Sequence, residues 1–210
     1  MAMGEHMLIT ERLVLRRFTA EDVPELFTMM SDEQVMRFLP WLTPKSEADA
    51  AAFLEDHYLG YYRAADAGER GANGMPLDLR FAVCRRDDQA ADAAGELLGF
   101  VNISAKSDAF DMGYAYRCDA WGHGYATEAA SALIEEARRA GFPYLTATHV
   151  EENPASGRVM ERCGMTYRYS YRECWQPKNF DVVFRLYQIE LQPGQKTYQA
   201  YWERFPEHWV

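Results

Sequence analysis

The sequence is poor in cysteine, and its four cysteines do not form a metal-binding pattern. They stand at positions 84, 118, 163 and 174 with no C-x-x-C spacing, and the five histidines are scattered. This spacing excludes the common zinc motifs, and reduced thiols in a cytoplasm are the simplest interpretation. We therefore expect no metal site and a cytoplasmic location.

Basic residues are also scarce. The chain has 22 Lys and Arg residues against 32 Asp and Glu residues, which gives a formal net charge of −10. Binding to nucleic acid requires basic patches that neutralise phosphates, so this balance argues against a nucleic-acid partner. An acidic protein is mildly suited to a cationic partner such as an amine.

Long apolar runs are missing. The sequence has no stretch of 18 apolar residues, and its start lacks the apolar core of a signal peptide. We therefore expect no membrane partner and no secretion. The 210 residues, of which 48% are hydrophobic and 26% charged, are typical of one ordinary globular domain. We predict that this domain covers residues 1–191 and that residues 192–210 extend it.

The sequence does contain a glycine turn between a strand pattern and a helix pattern. Residues 112–116 are aromatic and apolar, which suits a strand, and residues 126–137 place apolar side chains on one helical face. Gly141 follows as a helix C-terminal cap. Between the two patterns lie Gly122 and Gly124, which can adopt positive φ and let an anion approach the main chain. Because the first N–H groups of a helix have no partner within it, the turn is a candidate phosphate site.

The glycine spacing excludes two common nucleotide motifs. The sequence has neither G-x-G-x-x-G nor G-K-[ST], so the turn is neither a dinucleotide fingerprint nor a Walker loop. On the glycines alone, an ordinary strand-to-helix turn is the alternative interpretation.

Three segments in order match one known family. They are TERLVLR at 10–16, GYAYRCDAWGHGYATEA at 113–129, and NPAS at 153–156 followed by GM at 164–165. Within the second segment, Gly124 and Ala126 match the motif [QR]-x-x-G-x-[GA], and Trp121 replaces the usual Gln or Arg. Together the segments resemble the GNAT acyltransferase superfamily, and its RimJ/RimL-like branch, over roughly residues 8–191.

The resemblance implies an α/β (α+β) fold, with a mixed, largely antiparallel sheet of six to seven strands flanked by helices. The residue patterns place strands at 8–17, 79–85, 96–104, 112–116, 144–150, 167–175 and 181–191, and long helices at 19–30, 46–65 and 126–140. A polar turn containing Asp87 and Asp88 should join the second and third strands. In the resembled fold, the strands before and after the helix at 126–140 part, and the pantetheine arm of the cofactor lies in the opening.

The end of the chain has its own pattern. Tyr198, Tyr201, Trp202 and Phe205 fall on one face of a helix, which predicts a C-terminal helical extension. This aromatic stripe could pack on its own domain, form a dimer contact or cover the acceptor cleft. Both a monomer and a homodimer stay open.

The resemblance also implies which residues bind acetyl-coenzyme A. The amides of the glycine turn should hold the pyrophosphate, and the main chain around Tyr116 and Arg117 should pair with pantetheine. Asn153 is a helix cap, a pantetheine contact, or both. Arg158 and Arg162 could meet the adenosine phosphate or form a solvated helix face. The predicted cofactor set is Tyr116, Arg117, Trp121, Gly122, His123, Gly124, Tyr125, Ala126, Thr127, Asn153 and Ser156.

The implied reaction moves an acetyl group from acetyl-coenzyme A to a primary amine by direct attack. The amine must lose a proton, and the departing thiolate needs an acid. Many relatives place a Tyr seven residues beyond the Asn as this acid, but Met160 stands there, so Ser156 is the candidate. The candidate bases are Asp111, Glu151, Glu152 and Glu173. Of these, Asp111 and Glu173 join Ser156 in the predicted catalytic set.

The acceptor is less defined by the sequence. Trp41, in an apolar break at residues 38–42, is a candidate acceptor contact, with local packing as the alternative. A protein N-terminus and a small amine both fit as acceptors. Because the usual Tyr is missing, a non-catalytic coenzyme A binding module is the alternative function from a different class, and a scaffold that assembles through its aromatic tail is a third.

Overall fold

A nine-stranded sheet forms the centre of the computed structural model, which describes residues 6–87 and 90–210. Its strands are β1 (Leu8–Ile9), β2 (Leu13–Arg16), β3 (Arg80–Asp87), β4 (Ala90–Ser104), β5 (Asp111–Tyr116), β6 (Tyr144–Val150), β7 (Thr166–Trp175), β8 (Phe180–Glu190) and β9 (His208–Trp209). They follow the order β1-β2-β3-β4-β5-β6-β8-β7-β9 across the sheet. Each neighbouring pair is antiparallel except β5 with β6.

Helices cover both faces of this sheet. They are α1 (Val23–Met30), α2 (Glu33–Met36), α3 (Glu47–Leu54), α4 (Gly60–Asp66), α5 (Tyr125–Arg139), α6 (Pro154–Arg162) and α7 (Ala200–Arg204). A π-helical turn at Glu55–Leu59 joins α3 to α4, so the predicted helix at 46–65 is continuous. It starts as predicted, because the Ser46 side chain accepts a hydrogen bond from the Asp49 amide at 3.2 Å.

Alternation along β3, β4 and β5 divides the core between the two faces. On one face, buried side chains of the strands and of α5 pack together; they include Phe81, Val83, Val101, Met112, Leu133 and Ala137. On the other face, the buried set belongs to the strands and to α1–α4; it includes Leu26, Met30, Leu54, Tyr58, Ala82 and Phe100. The sheet therefore has one side that α5 covers and a second side that α1–α4 cover.

The mixed, mostly antiparallel fold is confirmed, and the strand bounds differ by more than one residue in three of the predicted strands. The predicted strand at 8–17 is two strands, because the chain turns back after Ile9 and pairs it with Val14. The strands β3 and β4 extend beyond their predicted ends towards each other. The polar turn predicted between them contains two aspartates. Asp87 is the last residue of β3, and position 88 lies outside the described residues. With the two-residue strands at the edges, the count is nine rather than six to seven.

β5 and β6 part almost as soon as they meet. Their only pairing in the described structure joins Asp111 to Thr146, whereas β4 is paired along the whole of β5 and β8 along the whole of β6. The predicted opening in the sheet is therefore present, and it lies beside the N-terminus of α5.

The C-terminal tail packs on β7 of its own domain. The Trp202 ring meets Tyr169 with centroids 5.4 Å apart, and the Phe205 ring stacks on Tyr171 at 4.9 Å. The predicted helical stripe is only partly helical, because α7 covers five residues and Tyr198 precedes it. The tail then pairs with β7 as strand β9, so it is an edge of the sheet as much as a helix.

Candidate functional site

The glycine turn presents a row of unpaired backbone donors. Gly122 and Gly124 have φ of 79° and 81°, which places this segment in a conformation that glycine adopts without strain. Within the described chain, none of the amide N–H groups from Gly122 to Thr127 donates to a protein acceptor. The N-terminus of α5 adds a partial positive charge at the same place. Such a row fits the pyrophosphate of a nucleotide cofactor.

The first segment of the chain braces this turn. The Thr10 hydroxyl donates to Glu128 Oε1 at 2.6 Å, and Arg12 Nε donates to Glu128 Oε2 at 2.8 Å. Arg12 Nη1 also donates to the His123 carbonyl at 2.9 Å. Burial opposes ionisation of Glu128, but these hydrogen bonds outweigh it and lower the pKa of the carboxyl. Two of the segments that carry the family resemblance are therefore one structural unit, which the sequence did not reveal.

Trp121, where the motif usually has Gln or Arg, acts through its indole. Trp121 Nε1 donates to the Tyr116 carbonyl at 2.9 Å, which ties the start of the turn to the end of β5. The Arg117 amide donates to Leu98 at 2.9 Å, so it is already part of the β4–β5 edge. The His123 side chain is exposed, with its ring stacked on that of Tyr125.

One cavity of about 800 Å³ connects the turn, the gap between β5 and β6, and the α1–α4 side of the sheet. It brings together most of the predicted site: Trp41, Asp111, Tyr116, Trp121, Gly122, Gly124, Tyr125, Ala126, Thr127, Asn153 and Ser156. Arg158, Arg162 and Glu152 also line it. Arg117, His123 and Glu173 lie outside its wall, as does Glu151.

Asp111 lies where β5 and β6 part, and its carboxylate is largely desolvated. Burial raises the pKa of Asp111 to about 7, and a hydrogen bond from Thr146 Oγ1 at 3.3 Å opposes this only in part. That hydroxyl also lies 2.8 Å from the Ala109 carbonyl, and its single proton cannot serve both acceptors fully. Asp111 is thus a carboxyl group that exchanges a proton near neutral pH at the edge of the cavity.

Ser156 lies at the start of α6 and is linked to β5. The Asn153 side chain accepts from the Ser156 amide at 3.3 Å, so Asn153 is the predicted helix cap. Ser156 Oγ lies 3.0 Å from the Tyr114 hydroxyl, which is also 2.9 Å from the Ser156 carbonyl. Burial raises the pKa of Tyr114, so its hydroxyl stays protonated. Tyr114 is not among the predicted site residues, although the alternation of β5 puts it on the same face as Tyr116.

The other acid–base candidates are placed less favourably. Glu173 is half-buried on β7, and burial raises its pKa, but it does not line the cavity. Glu152 lines the cavity from an exposed position after β6. Met160, at the position where relatives place a Tyr, is buried in the core on the α5 side.

Trp41 forms the aromatic wall at the far end of the cavity. Its ring meets Phe53 at 4.8 Å, His57 at 5.3 Å and Phe100 at 6.2 Å between centroids. Both interpretations of Trp41 are therefore compatible with its position, since the side chain packs locally and also faces the cavity.

His149 also lines the cavity and is not among the predicted site residues. It is 6% exposed, and its Nδ1 lies 2.8 Å from the Val150 carbonyl, while Nε2 has no protein partner among the described residues. Burial lowers the pKa of this imidazole, so it is neutral. Gly157 lies against the ring, and a Cβ there would come within 2.6 Å of Nε2.

The described residues contain neither a metal-binding cluster nor a membrane-spanning helix. No group of three or more His, Cys, Asp or Glu side chains there is arranged to hold a metal ion. No helix in the same ranges has the length and apolarity needed to cross a membrane. The four cysteines, all within those ranges, are unpaired.

Comparison with known proteins agrees with this geometry. The family model described as "Acetyltransferase (GNAT) domain" matches residues 12–166. The chain is 26% identical to the uncharacterised N-acetyltransferase YnaD of Bacillus subtilis (strain 168), over 80% of this chain and 86% of that protein.

Solved structures share the fold. An acetyltransferase of the GNAT family from Bacillus anthracis superposes with a TM-score of 0.70 at 22% identity, covering 88% of this chain and 98% of that one. RimL, a ribosomal L7/L12 alpha-N-protein acetyltransferase solved with coenzyme A, gives a TM-score of 0.66 at 17% identity, with coverage of 88% and 98%. At these identities the two structures show a shared fold, and the RimJ/RimL-like branch stays a prediction. The family match over residues 12–166 shows that this chain belongs to the GNAT acetyltransferase family and is an acetyl-coenzyme A-dependent acetyltransferase.

Proposed function

We propose that this enzyme transfers the acetyl group to a primary amine by direct attack, with no covalent enzyme intermediate. The acceptor is a protein N-terminus or a small amine. The observation that carries the proposal is the position of Asp111, a carboxyl group with a pKa of about 7 in the gap between β5 and β6. The same cavity leads from this gap to the unpaired amides of residues 122–127.

The residues fit acetyl-coenzyme A, which supplies an activated thioester when bound. The turn at 122–127 offers main-chain donors for the pyrophosphate, and an ideal Cβ at Gly122 would meet no atom within 4 Å, so the approach is open. The unpaired edge of β5 can bond the extended pantetheine arm as an added strand would. Arg158 and Arg162 line the same cavity and could meet the remaining phosphate.

Asp111 is the proposed base. An alkyl amine is mostly protonated at neutral pH, because its unperturbed pKa is about 10.4 for a lysine side chain. A carboxyl group with a pKa near neutral accepts a proton from such an amine more readily than an ordinary surface aspartate does. The proton passes to Asp111 directly or through water, and the neutral amine is then free to attack.

Ser156 and Tyr114 are the proposed acid. Their hydroxyl oxygens lie 3.0 Å apart, so the Tyr114 hydroxyl, which stays protonated, can donate a hydrogen bond to the Ser156 oxygen as Ser156 gives its proton to the sulfur. The cap by Asn153 holds the Ser156 main chain at the start of α6, which fixes the hydroxyl against β5. This pair supplies the proton that the departing sulfur requires, because position 160, where many relatives place a Tyr, is Met in this chain.

A coenzyme A release screen tests the proposal. Thiol release would be measured with free N-terminal peptides, polyamines and aminoglycosides, and with N-acetylated or N-blocked versions of the same compounds as controls. We expect release with at least one free amine and with none of its blocked counterparts. Coenzyme A at ~100 times its Kd should also raise the free energy of unfolding by about 2.7 kcal/mol. Stabilisation by coenzyme A without release for any amine would contradict amine transfer.

A further inference from the structure

Arg80 is a buried cation without a counter-ion at the acceptor end of the cavity. It is 5% exposed and lines the cavity from the first position of β3. Its Nη1 donates to the His57 carbonyl at 3.1 Å, and its guanidinium lies 3.9 Å from the centroid of the Tyr61 ring. Its Nε has no partner within the described part of the chain. Neither the carbonyl nor the ring neutralises the charge.

Other arginines near this end of the sheet are paired. Arg16 bonds Asp22 with both Nη atoms, and Arg17 bonds Asp66 and Asp78. For Arg80, no described carboxylate comes within ion-pair distance, and burial lowers its pKa without any carboxylate to oppose the shift. A buried charge is costly unless an opposite charge compensates it. The chain therefore keeps an uncompensated guanidinium at a wall that a ligand can reach.

The neighbours of Arg80 on the same face suit an anion. Strand pairing sets Arg80 opposite Asn102, and Asn102 opposite Gly113. Because Gly113 has no side chain, the Asn102 amide is left as a hydrogen-bonding group on the cavity wall. Lys106 Nζ lies 5.1 Å from the centroid of the same Tyr61 ring and adds a second cation.

The other titratable groups do not cancel this charge. Burial lowers the pKa of His57, and the charges of Arg80 and Lys106 lower it further, so this imidazole is neutral. The carboxylates that line the cavity are Asp111 and Glu152. Both lie away from Arg80: Asp111 is two strands distant in the sheet, and Glu152 follows β6 beyond the gap.

We propose that the acceptor carries an oxyanion group, a carboxylate or a phosphate monoester, in addition to its amine, and that this group binds Arg80 with help from Asn102 and Lys106. The inference rests on the proposed function, because it places the amine at Asp111. Strand spacing and residue rise put the Cα atoms of Arg80 and Asp111 about 12 Å apart. The amine and the oxyanion of the acceptor are therefore separated by a chain of several bonds.

Matched acceptor pairs test this directly. The pairs are 5-aminopentanoate with 5-aminopentanamide, and 4-aminobutyl phosphate with 4-aminobutanol. Their binding to the coenzyme A-saturated protein would be measured by calorimetry for the wild type, Arg80→Gln, Lys106→Gln and the control Arg139→Gln, which removes an exposed arginine on α5. Calorimetry reports binding whether or not transfer occurs. Comparing the two pairs distinguishes a carboxylate from a phosphate acceptor.

We expect the wild type to bind the anionic member of at least one pair about tenfold or more tightly than the neutral member, as charge-assisted hydrogen bonds allow. Arg80→Gln should remove this preference and leave the neutral member unaffected, Lys106→Gln should reduce it, and Arg139→Gln should keep it. Lys106 is exposed, so its variant tests the second cation of the proposed site without disturbing the core.

Three results would overturn the inference. These are equal binding of both members by the wild type, a preference that survives Arg80→Gln, and no measurable binding of either anionic amine at millimolar concentration. Failure of the proposed function looks different. In that case, charge-dependent binding persists while no amine releases coenzyme A.

Discussion

Arg12 and Glu128 lie 116 residues apart in the sequence and are joined by a two-pronged ion pair. Arg12 Nε and Nη2 lie 2.8 Å and 2.6 Å from Glu128 Oε2, and the Arg12 amide donates to Oε1 at 2.9 Å. Glu128 stands in the first turn of α5, and Arg12 also bonds the carbonyl of His123. The residue that precedes β2 therefore fixes the conformation of the turn that is expected to hold the pyrophosphate.

Glu128→Gln should weaken cofactor binding more than it weakens the fold. The amide keeps the shape but loses the charge that holds Arg12, so we expect a loss of stability on the order of 1 kcal/mol. The KM for acetyl-coenzyme A should rise several-fold with little change in kcat. Glu135→Gln on the exposed face of the same helix is the control. Equal KM values for both variants would remove the bracing role from Glu128.

Gly124→Asp should abolish coenzyme A binding. The substitution adds a Cβ and a negative charge to the row of amides, and it forces a non-glycine residue to adopt φ of 81°. Gly74→Asp serves as the matched control, because Gly74 has φ of 76° on an exposed loop outside the cavity. Both variants share a backbone cost of roughly 1–2 kcal/mol. Coenzyme A should raise the melting temperature of Gly74→Asp and leave that of Gly124→Asp unchanged.

Ser156→Ala and Tyr114→Phe should lower kcat far more than they change the KM for acetyl-coenzyme A. Loss of a general acid typically costs about 10²–10⁴-fold in rate. Because the two hydroxyls act as one unit, the double variant should be little slower than Ser156→Ala. Tyr167→Phe is the control, since that hydroxyl makes a similar 2.9 Å contact with Ser170 away from the cavity. Steady-state thiol release would be measured for both single variants, the double variant and the control. Losses in kcat that add up in the double variant would contradict a shared acid.

Asp111→Asn should reduce turnover and raise stability in alkaline solution. Burial raises the pKa of Asp111 from 3.8 to about 7, so the folded state holds a proton that the unfolded state releases between these values. Stability from this group therefore falls as pH rises through that window and stays low above it. At pH 8 the Asn variant should be more stable by on the order of 1–3 kcal/mol, with little difference at pH 4.

The rate should show the opposite pH dependence. In the wild type, kcat/KM should rise with an apparent pKa near that of Asp111, and this limb should vanish in Asp111→Asn together with about 10²–10⁴-fold of the rate. Glu173→Gln should keep both the limb and the rate, because Glu173 does not line the cavity. A profile that changes with Glu173 and not with Asp111 would move the base to β7.

Local patterns predicted the elements well where a specific residue marks the boundary. Ser46 and Asn153 cap their helices as expected, and Gly141 and Gly164 end theirs at positive φ. The tail was predicted less well. Its aromatic residues satisfy a helical spacing, but their contacts with Tyr169 and Tyr171 on β7 decide the conformation, and only five residues are helical.

The candidate site was predictable in its cofactor turn and less so in its chemistry. The residues of the turn are consecutive in the sequence, so Gly122 and Gly124 are enough to predict it. Tyr114 and Arg80 could not be selected in this way. The role of Tyr114 depends on a partner that is distant in sequence, and that of Arg80 depends on a missing counter-ion. Tyr114 meets Ser156 across 42 positions, and Arg80 is notable because it is buried without a carboxylate. Neither property leaves a local pattern.

The parting of β5 from β6 after a single paired position gives the protein two strand edges that face inward. On an outer surface, unpaired edges invite pairing with other chains and lead to aggregation. Here both edges lie inside the sheet, beside the cavity that residues of α5 and α6 line. We expect the interrupted sheet to turn this general hazard into a binding feature, because an extended pantetheine arm can pair with a strand edge as an added strand would.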